Sequence, residues 1–346
     1  MATYDYTQPQ LDSLLKSDGI DASTRDKIID YLVKAGDFKG GGDGDHDDHG
    51  HGRHSTVVVQ QGGYPPFAPD LSGNLPQVVI ATTSGPVSFD TSADPNLQVI
   101  VDVDANVTVT GSNDVLVVTG SSDDTVHLND TGDDTAIVGS GSDTVYGGAG
   151  EDSIYGGKGG DELHGGSGSH QLLDGGSGDD TLYAGTGSHD TLRGGDGNDS
   201  LDGGGGSHQF LDGGDGRDTL NAGTGSYDTL KGGDGSDVFY GGSGDHQLLE
   251  GGDGKDTMYA GTGSYDTLVG GGGNDTFHIG GAANHDTIDG GSGHNVVDFD
   301  NHDSHNVTYT PAGGGATTVH FTDTGQTFKV EDVQTLHFDD GHTKTL

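Results

Sequence analysis

The sequence has no cysteine and no tryptophan among its 346 residues. The first absence excludes disulfides, thiolate metal sites and cysteine nucleophiles, and it removes the usual clue to a redox compartment. Basic residues are scarce: 13 Lys and Arg stand against 56 Asp and Glu, a formal net charge of −43. Such a polyanion repels nucleic acid and anionic membrane surfaces and attracts divalent cations. Hydrophobic residues make up only 28%, too few for a conventional core in a chain of this length. No apolar run approaches the roughly 20 residues that span a bilayer, so no membrane insertion is expected. The stretch MATYDYTQPQLDSLL lacks the basic segment and apolar core of a Sec leader. HExxH, GxSxG and P-loop patterns are missing as well, and the expectation is that the protein is not an enzyme.

What the chain does have is glycine, 69 residues of it, and a repeat. Gly165–Ile279 is nearly the same 38 residues written three times, each copy made of units of alternately ten and nine residues. One unit supplies a glycine turn and about three residues of strand, too little to bury a face alone, so the units must stack. Read every 19 residues, Leu182, Leu201, Leu220, Phe239, Met258 and Phe277 form one apolar column. Leu173, Leu192, Leu211, Leu230, Leu249 and Leu268 form another. Two facing columns predict an all-β fold: a right-handed parallel solenoid, with two short parallel sheets around a thin core and glycine-rich turns along both edges.

The turns carry carboxylates in the same register. Asp180, Asp199, Asp218, Asp237, Asp256 and Asp275 recur at that period, and the row extends back through Asp161, Asp143 and Asp124. On the other edge the series runs Asp114, Asp134, Asp152, Gln171, Asp190, Gln209, Asp228, Gln247, Asp266. A third series is Asp196, Asp215, Asp234 and Asp253. Stacked roughly 4.8 Å apart, neighbouring carboxylates repel by ~1 kcal/mol in water and by more near a protein surface. Bound cations make such rows tolerable, and an all-oxygen donor set favours Ca²⁺ over zinc or copper. The Gln positions carry no charge, so that edge is expected to bind Ca²⁺ more weakly. The extra residue of each ten-residue unit forms a parallel column of His170, His189, His208, Tyr227, His246 and Tyr265.

Units such as GGAGEDSIY, GGDGNDSLD and GGDGRDTLN resemble the GGxGxDx(apolar)x nonapeptide of RTX (hemolysin-type) calcium-binding proteins. The resemblance covers about half of the chain and implies a parallel β-roll with multiple Ca²⁺ ions held by Asp carboxylates and turn carbonyls. It also implies export by type I secretion, and KVEDVQTLHFDDG near the C-terminus is similar to the terminal segment of many secreted members.

Around the roll, expected at 110–291, lie other segments. Residues 1–36 read as a small helical unit, with Leu11, Leu14 and Leu15 on one face and Ile28, Ile29, Leu32 and Val33 on another. Residues 37–55 form a Gly/Asp/His linker. The β-branched runs of 56–109 suggest an N-terminal cap, and 292–346 a C-terminal β cap with Phe299, Phe321, Phe328 and Phe338 as core. In that cap, VVDF, VTY, TTVHF, TFKV and TLHF read as antiparallel strands. The function expected is that of a secreted, calcium-binding structural component of a cell surface, matrix or filament, with possible self-assembly. The alternative is a calcium-dependent adhesin with a glycan or surface partner; ice binding is a minor one, weakened because Thr186, Thr224 and Thr262 recur only at alternate coils.

Overall fold

The computed structural model describes residues 106–346 apart from 130, 281 and 282, and before them the strands Ala2–Tyr4, Thr56–Gln60, Gln77–Ala81, Val87–Asp90 and Gln98–Asp102. The expected N-terminal helices and the His-rich linker lie outside the described residues. Among the described residues there is no α-helix, only one 3-10 turn at Ser304–Asn306. The chain forms two compact units, Met1–Glu162 and Leu163–Leu346.

In Leu163–Leu346 the 19-residue period becomes two parallel sheets. One contains Leu172–Ser177, Thr191–Asp196, Phe210–Gly216, Thr229–Gly235, Leu248–Gly254 and Thr267–Gly273, each in register with the next. The other contains Thr181–Tyr183, Ser200–Asp202, Thr219–Asn221, Val238–Tyr240, Thr257–Tyr259 and Thr276–Ile279. Register is fixed by the pleat, since a slip of one residue would turn the buried column residue of each strand outward. Leu173 thus sits opposite Leu192, and Leu182 opposite Leu201. All twelve column residues are at most 1% exposed. Burying each Leu stabilises the wound state by about 1.5–3 kcal/mol.

Met1–Glu162 uses the same plan with more valine. Thr56–Gln60, Gln77–Ala81, Gln98–Asp102, Val115–Val118, Thr135–Ile137 and Ser153–Lys158 pair in parallel, as do Val87–Asp90, Asn106–Thr110, Thr125–Asn129 and Thr144–Tyr146. Parallel coiling therefore reaches back to Thr56, through the stretch read from sequence as a cap.

At the C-terminal end, the expectation of antiparallel strands needs correction. Val296–Phe299 and Thr335–Phe338 are parallel continuations of one sheet, and Thr327–Glu331 pairs in parallel with Thr287–Asp289 of the other. Only the hairpin Val307–Gly313/Ala316–Phe321, its contact with Thr327–Glu331, and Thr343–Thr345 against Thr335–Phe338 are antiparallel. Alternation reports that a strand has one buried face and is silent on orientation. The four phenylalanines do form the core there, with Phe299 within 5.8 Å, centroid to centroid, of Phe321, Phe328 and Phe338.

Candidate metal centres

Each coil places one carboxylate just before a strand, turned inward at the sheet edge. In the nine-residue units of Leu163–Leu346, Asp180, Asp199, Asp218, Asp237, Asp256 and Asp275 are at most 2% exposed. Their Oδ1 atoms tie the coils together. The backbone N–H of Asp180 donates to Asp199 Oδ1 at 2.8 Å, Asp199 to Asp218 at 2.8 Å, Asp218 to Asp237 at 2.8 Å, Asp237 to Asp256 at 2.9 Å and Asp256 to Asp275 at 3.0 Å. Asp275 N–H then donates to Asn295 Oδ1 at 2.9 Å.

The second oxygens are different. Oδ2 of Asp199, Asp218, Asp237, Asp256 and Asp275 is buried and has no hydrogen-bond partner in the chain. A buried carboxylate oxygen without a donor is costly. Beside it lies space that only glycine leaves: a Cβ on Gly213 would collide with Asp218 Oδ2 and approach the Gly232 carbonyl, and one on Gly232 would meet Asp237 Oδ2 and the Gly251 carbonyl. The result is a cradle of carboxylate and carbonyl oxygens repeated from coil to coil.

Burial pushes the Asp218 and Asp256 carboxyls up to about 7 and Asp199 up to about 6; neighbouring aspartates add to the shift. Asp237 and Asp275 are raised by burial too. In Met1–Glu162, Asp124, Asp143 and Asp161 continue the pattern: Asp124 N–H donates to Asp143 Oδ1 at 2.7 Å, and Asp143 N–H to Asp161 Oδ1 at 2.8 Å. Burial raises Asp143 to about 7 and Asp161 to about 6. These groups call for a compensating positive charge, and the all-oxygen surroundings fit a hard cation such as Ca²⁺.

The ten-residue units form the other edge. Asp134 and Asp152 lie in its row in Met1–Glu162, with Asp134 N–H donating to Asp152 Oδ1 at 2.9 Å. Asp190, Asp228 and Asp266 lie in the row of Leu163–Leu346, where they alternate with Gln171, Gln209 and Gln247, all at most 1% exposed. Asp114 is not brought into the row. It is exposed and accepts from Asp133 N–H at 3.0 Å, while the residue that meets Asp134 Oδ1 is Val115. The first coils are spaced less regularly, so counting back by the period lands one place early. The third series, Asp196, Asp215, Asp234 and Asp253, stacks in register on exposed strand ends.

Two row members escaped the sequence reading. Asp286 is fully buried, follows Asp266, leaves Oδ2 without a partner and is pushed by burial up to about 7. Asn295 closes the opposite row. Both sit 20 residues after their predecessors instead of 19, and the inserted residue hides them from a fixed period. Apart from these rows, His278, Asp298 and Asp300 converge on one surface spot, and Asp303, His305 and Asp340 on another.

The His/Tyr column also has a physical reason. In nine-residue units the glycine at the fourth position takes positive φ, as at Gly178 (124°); in ten-residue units the extra residue takes it instead, as at His170 (62°) and Tyr227 (65°). Rings from His170 through His189, His208, Tyr227, His246 and Tyr265 to His285 stack with centroids 4.8–5.3 Å apart.

No curated protein matches the chain. The profile of the RTX calcium-binding nonapeptide repeat (4 copies) matches residues 128–163, 174–207, 212–245, 248–265 and 266–297. Those repeats bind Ca²⁺ in multiple copies, and the matched segments are the coils whose buried carboxylates are described above. Residues 128–297 thus carry RTX-type calcium-binding nonapeptide repeats, wound as a parallel β-solenoid.

Proposed function

We propose that this is a secreted protein whose roll winds on meeting external calcium and then serves as a structural component of a cell surface, matrix or filament. The observation that carries the proposal is the row of buried carboxylates with partnerless Oδ2 atoms, repeated from Asp199 to Asp275. In this reading Asp124, Asp143, Asp161, Asp180, Asp199, Asp218, Asp237, Asp256 and Asp275 bind Ca²⁺ with turn carbonyls. Asp134, Asp152, Asp190, Asp228, Asp266 and Asp286 serve the other edge. Calcium neutralises each row, and an ion at ~100-fold above its dissociation constant adds about 2.7 kcal/mol per site to the wound state. Several such sites match the stability of an ordinary domain.

The chain leaves a calcium-poor interior unwound and becomes rigid outside, where millimolar calcium suits weak sites. A stack of repeated coils is a building element, and its role is non-catalytic. Light scattering and electron microscopy with and without millimolar Ca²⁺ test the assembly. Growth of ordered assemblies with calcium is expected; a protein that stays monomeric at high concentration and saturating calcium contradicts it.

The stacked rings favour one further reading, a calcium-dependent adhesin. Tyr227 and Tyr265 are 53% and 54% exposed in that stack, and a regular column of ring edges and phenol hydroxyls suits a sugar or protein surface. Calcium-dependent binding on a glycan array, lost on replacing both tyrosines by Ser, distinguishes this reading from the structural one.

A further inference from the structure

Within Leu163–Leu346 the two edges use the same backbone hydrogen bond and differ in what fills the space beside it. Asp218 meets Asp199 N–H through Oδ1, and its Oδ2 has no partner. Gln209 meets Asp190 N–H through Oε1 at 2.6 Å. Its extra methylene then carries Nε2 in among the oxygens, where it donates to Gly187 O at 2.8 Å, Asp190 Oδ2 at 3.0 Å and Gly203 O at 3.2 Å. Gln247 repeats the arrangement: Oε1 accepts from Asp228 N–H at 2.7 Å, and Nε2 donates to Gly225 O at 2.8 Å and Asp228 Oδ2 at 3.2 Å.

The consequence is visible in the neighbours. Asp190 and Asp228 have their Oδ2 atoms satisfied by these amides, whereas Asp266 and Asp286, which no side-chain amide meets, keep their Oδ2 atoms partnerless. Asn295 uses the same chemistry at the end of the other edge, its Nδ2 donating to Gly290 O at 2.7 Å and Asp332 O at 3.1 Å. An NH₂ group offers two polarised hydrogens to a set of carbonyl and carboxylate oxygens, which are the atoms a hard cation would collect.

We propose that the Gln209 and Gln247 carboxamides stand in for calcium, so that these two oxygen cages take no ion and hold their coils together without metal. The inference rests on the reading that the roll's carboxylate cages bind Ca²⁺. A cation entering either cage would have to expel a buried amide that already donates to a turn carbonyl and to a neighbouring carboxylate. Within Leu163–Leu346 one edge therefore depends on calcium from Asp199 to Asp275, and the other is internally bonded at the Gln209 and Gln247 junctions.

The test uses the full chain and Ca²⁺ itself. Bound calcium per chain is counted by atomic emission after equilibrium dialysis for the wild type and for the double variant Gln209→Asp/Gln247→Asp. Each new carboxylate opens a cage, so the variant should bind about two more ions and need a higher calcium concentration to wind. Equal counts overturn the inference, and a wild type that binds no calcium overturns the underlying reading instead. Should the variant fail to wind, the wild type decides alone: with selective ¹⁵N-Gln labelling, the side-chain NH₂ signals of Gln209 and Gln247 should stay protected from solvent exchange at saturating calcium. Protection lost on saturation would show that an ion displaces the amides and would sink the proposal.

Discussion

Replacing Asp218 by Asn should push the metal-free and metal-loaded protein in opposite directions. The substitution keeps the acceptor for Asp199 N–H, a 2.8 Å bond, and removes a buried charge. Burial and the flanking Asp237 and Asp199 raise that carboxyl from 3.8 to about 7, roughly 3 pKa units, and at ~1.4 kcal/mol per unit the ionised group disfavours the metal-free wound state at neutral pH by about 4 kcal/mol. Asp218→Asn relieves a cost of that order. Its amide can also donate to the Gly213 and Gly232 carbonyls, as Asn295 does to Gly290 and Asp332. In calcium the same change removes a charged ligand and should lose about one ion. The assay is far-UV circular dichroism in chelator, with trimethylamine N-oxide added to bring winding into range, followed by a calcium count. Asp218→Asn should wind at lower osmolyte than the wild type and bind less calcium. A variant that is harder to wind in chelator, or that binds as much calcium as the wild type, would refute the reasoning.

Other outcomes follow from the same geometry. Without calcium, acid should help: carboxyls raised to about 6–7, such as Asp143, Asp199, Asp256 and Asp286, hold protons in the wound state that the unwound chain has released. Stability from protonation is then complete below about pH 4 and lost as pH rises through 7, so the β signal in chelator should grow between pH 8 and 5, and a fall would contradict the burial argument. Leu211→Ala, at a fully buried column position, should destabilise the calcium-loaded roll by about 2–5 kcal/mol in thermal melts; a change under ~1 kcal/mol would mean that the columns do not form the core. Gly232→Ala should disable its local cage, because the new methyl meets Asp237 Oδ2 and the Gly251 carbonyl, and φ at Gly232 is not the obstacle. Unchanged calcium stoichiometry would show that the cradle is not where ions sit.

The parts legible in the sequence were those written at a constant period. The Leu173–Leu268 and Leu182–Phe277 columns and the Asp180–Asp275 row could be read directly, because identical coils must place identical residues at identical depth. Irregular spacing hid the rest: Asp286 and Asn295 follow a one-residue insertion, and Asp114 precedes coils of uneven length. Strand direction near the C-terminus was invisible, since the hairpin Val307–Phe321 interrupts a coil whose strands resume at Thr327. The Gln alternation was legible as lost charge, but only side-chain geometry shows the Gln209 and Gln247 amides turned into the cages they line.

The central claim is that calcium and winding are one event, and the most direct measurement is a calcium titration of the full chain from chelator at pH 7.5, followed by far-UV circular dichroism with ion binding recorded in parallel. Little β signal is expected in chelator, followed by a single cooperative rise that coincides with ion uptake. A full β signal before any calcium is added would contradict it.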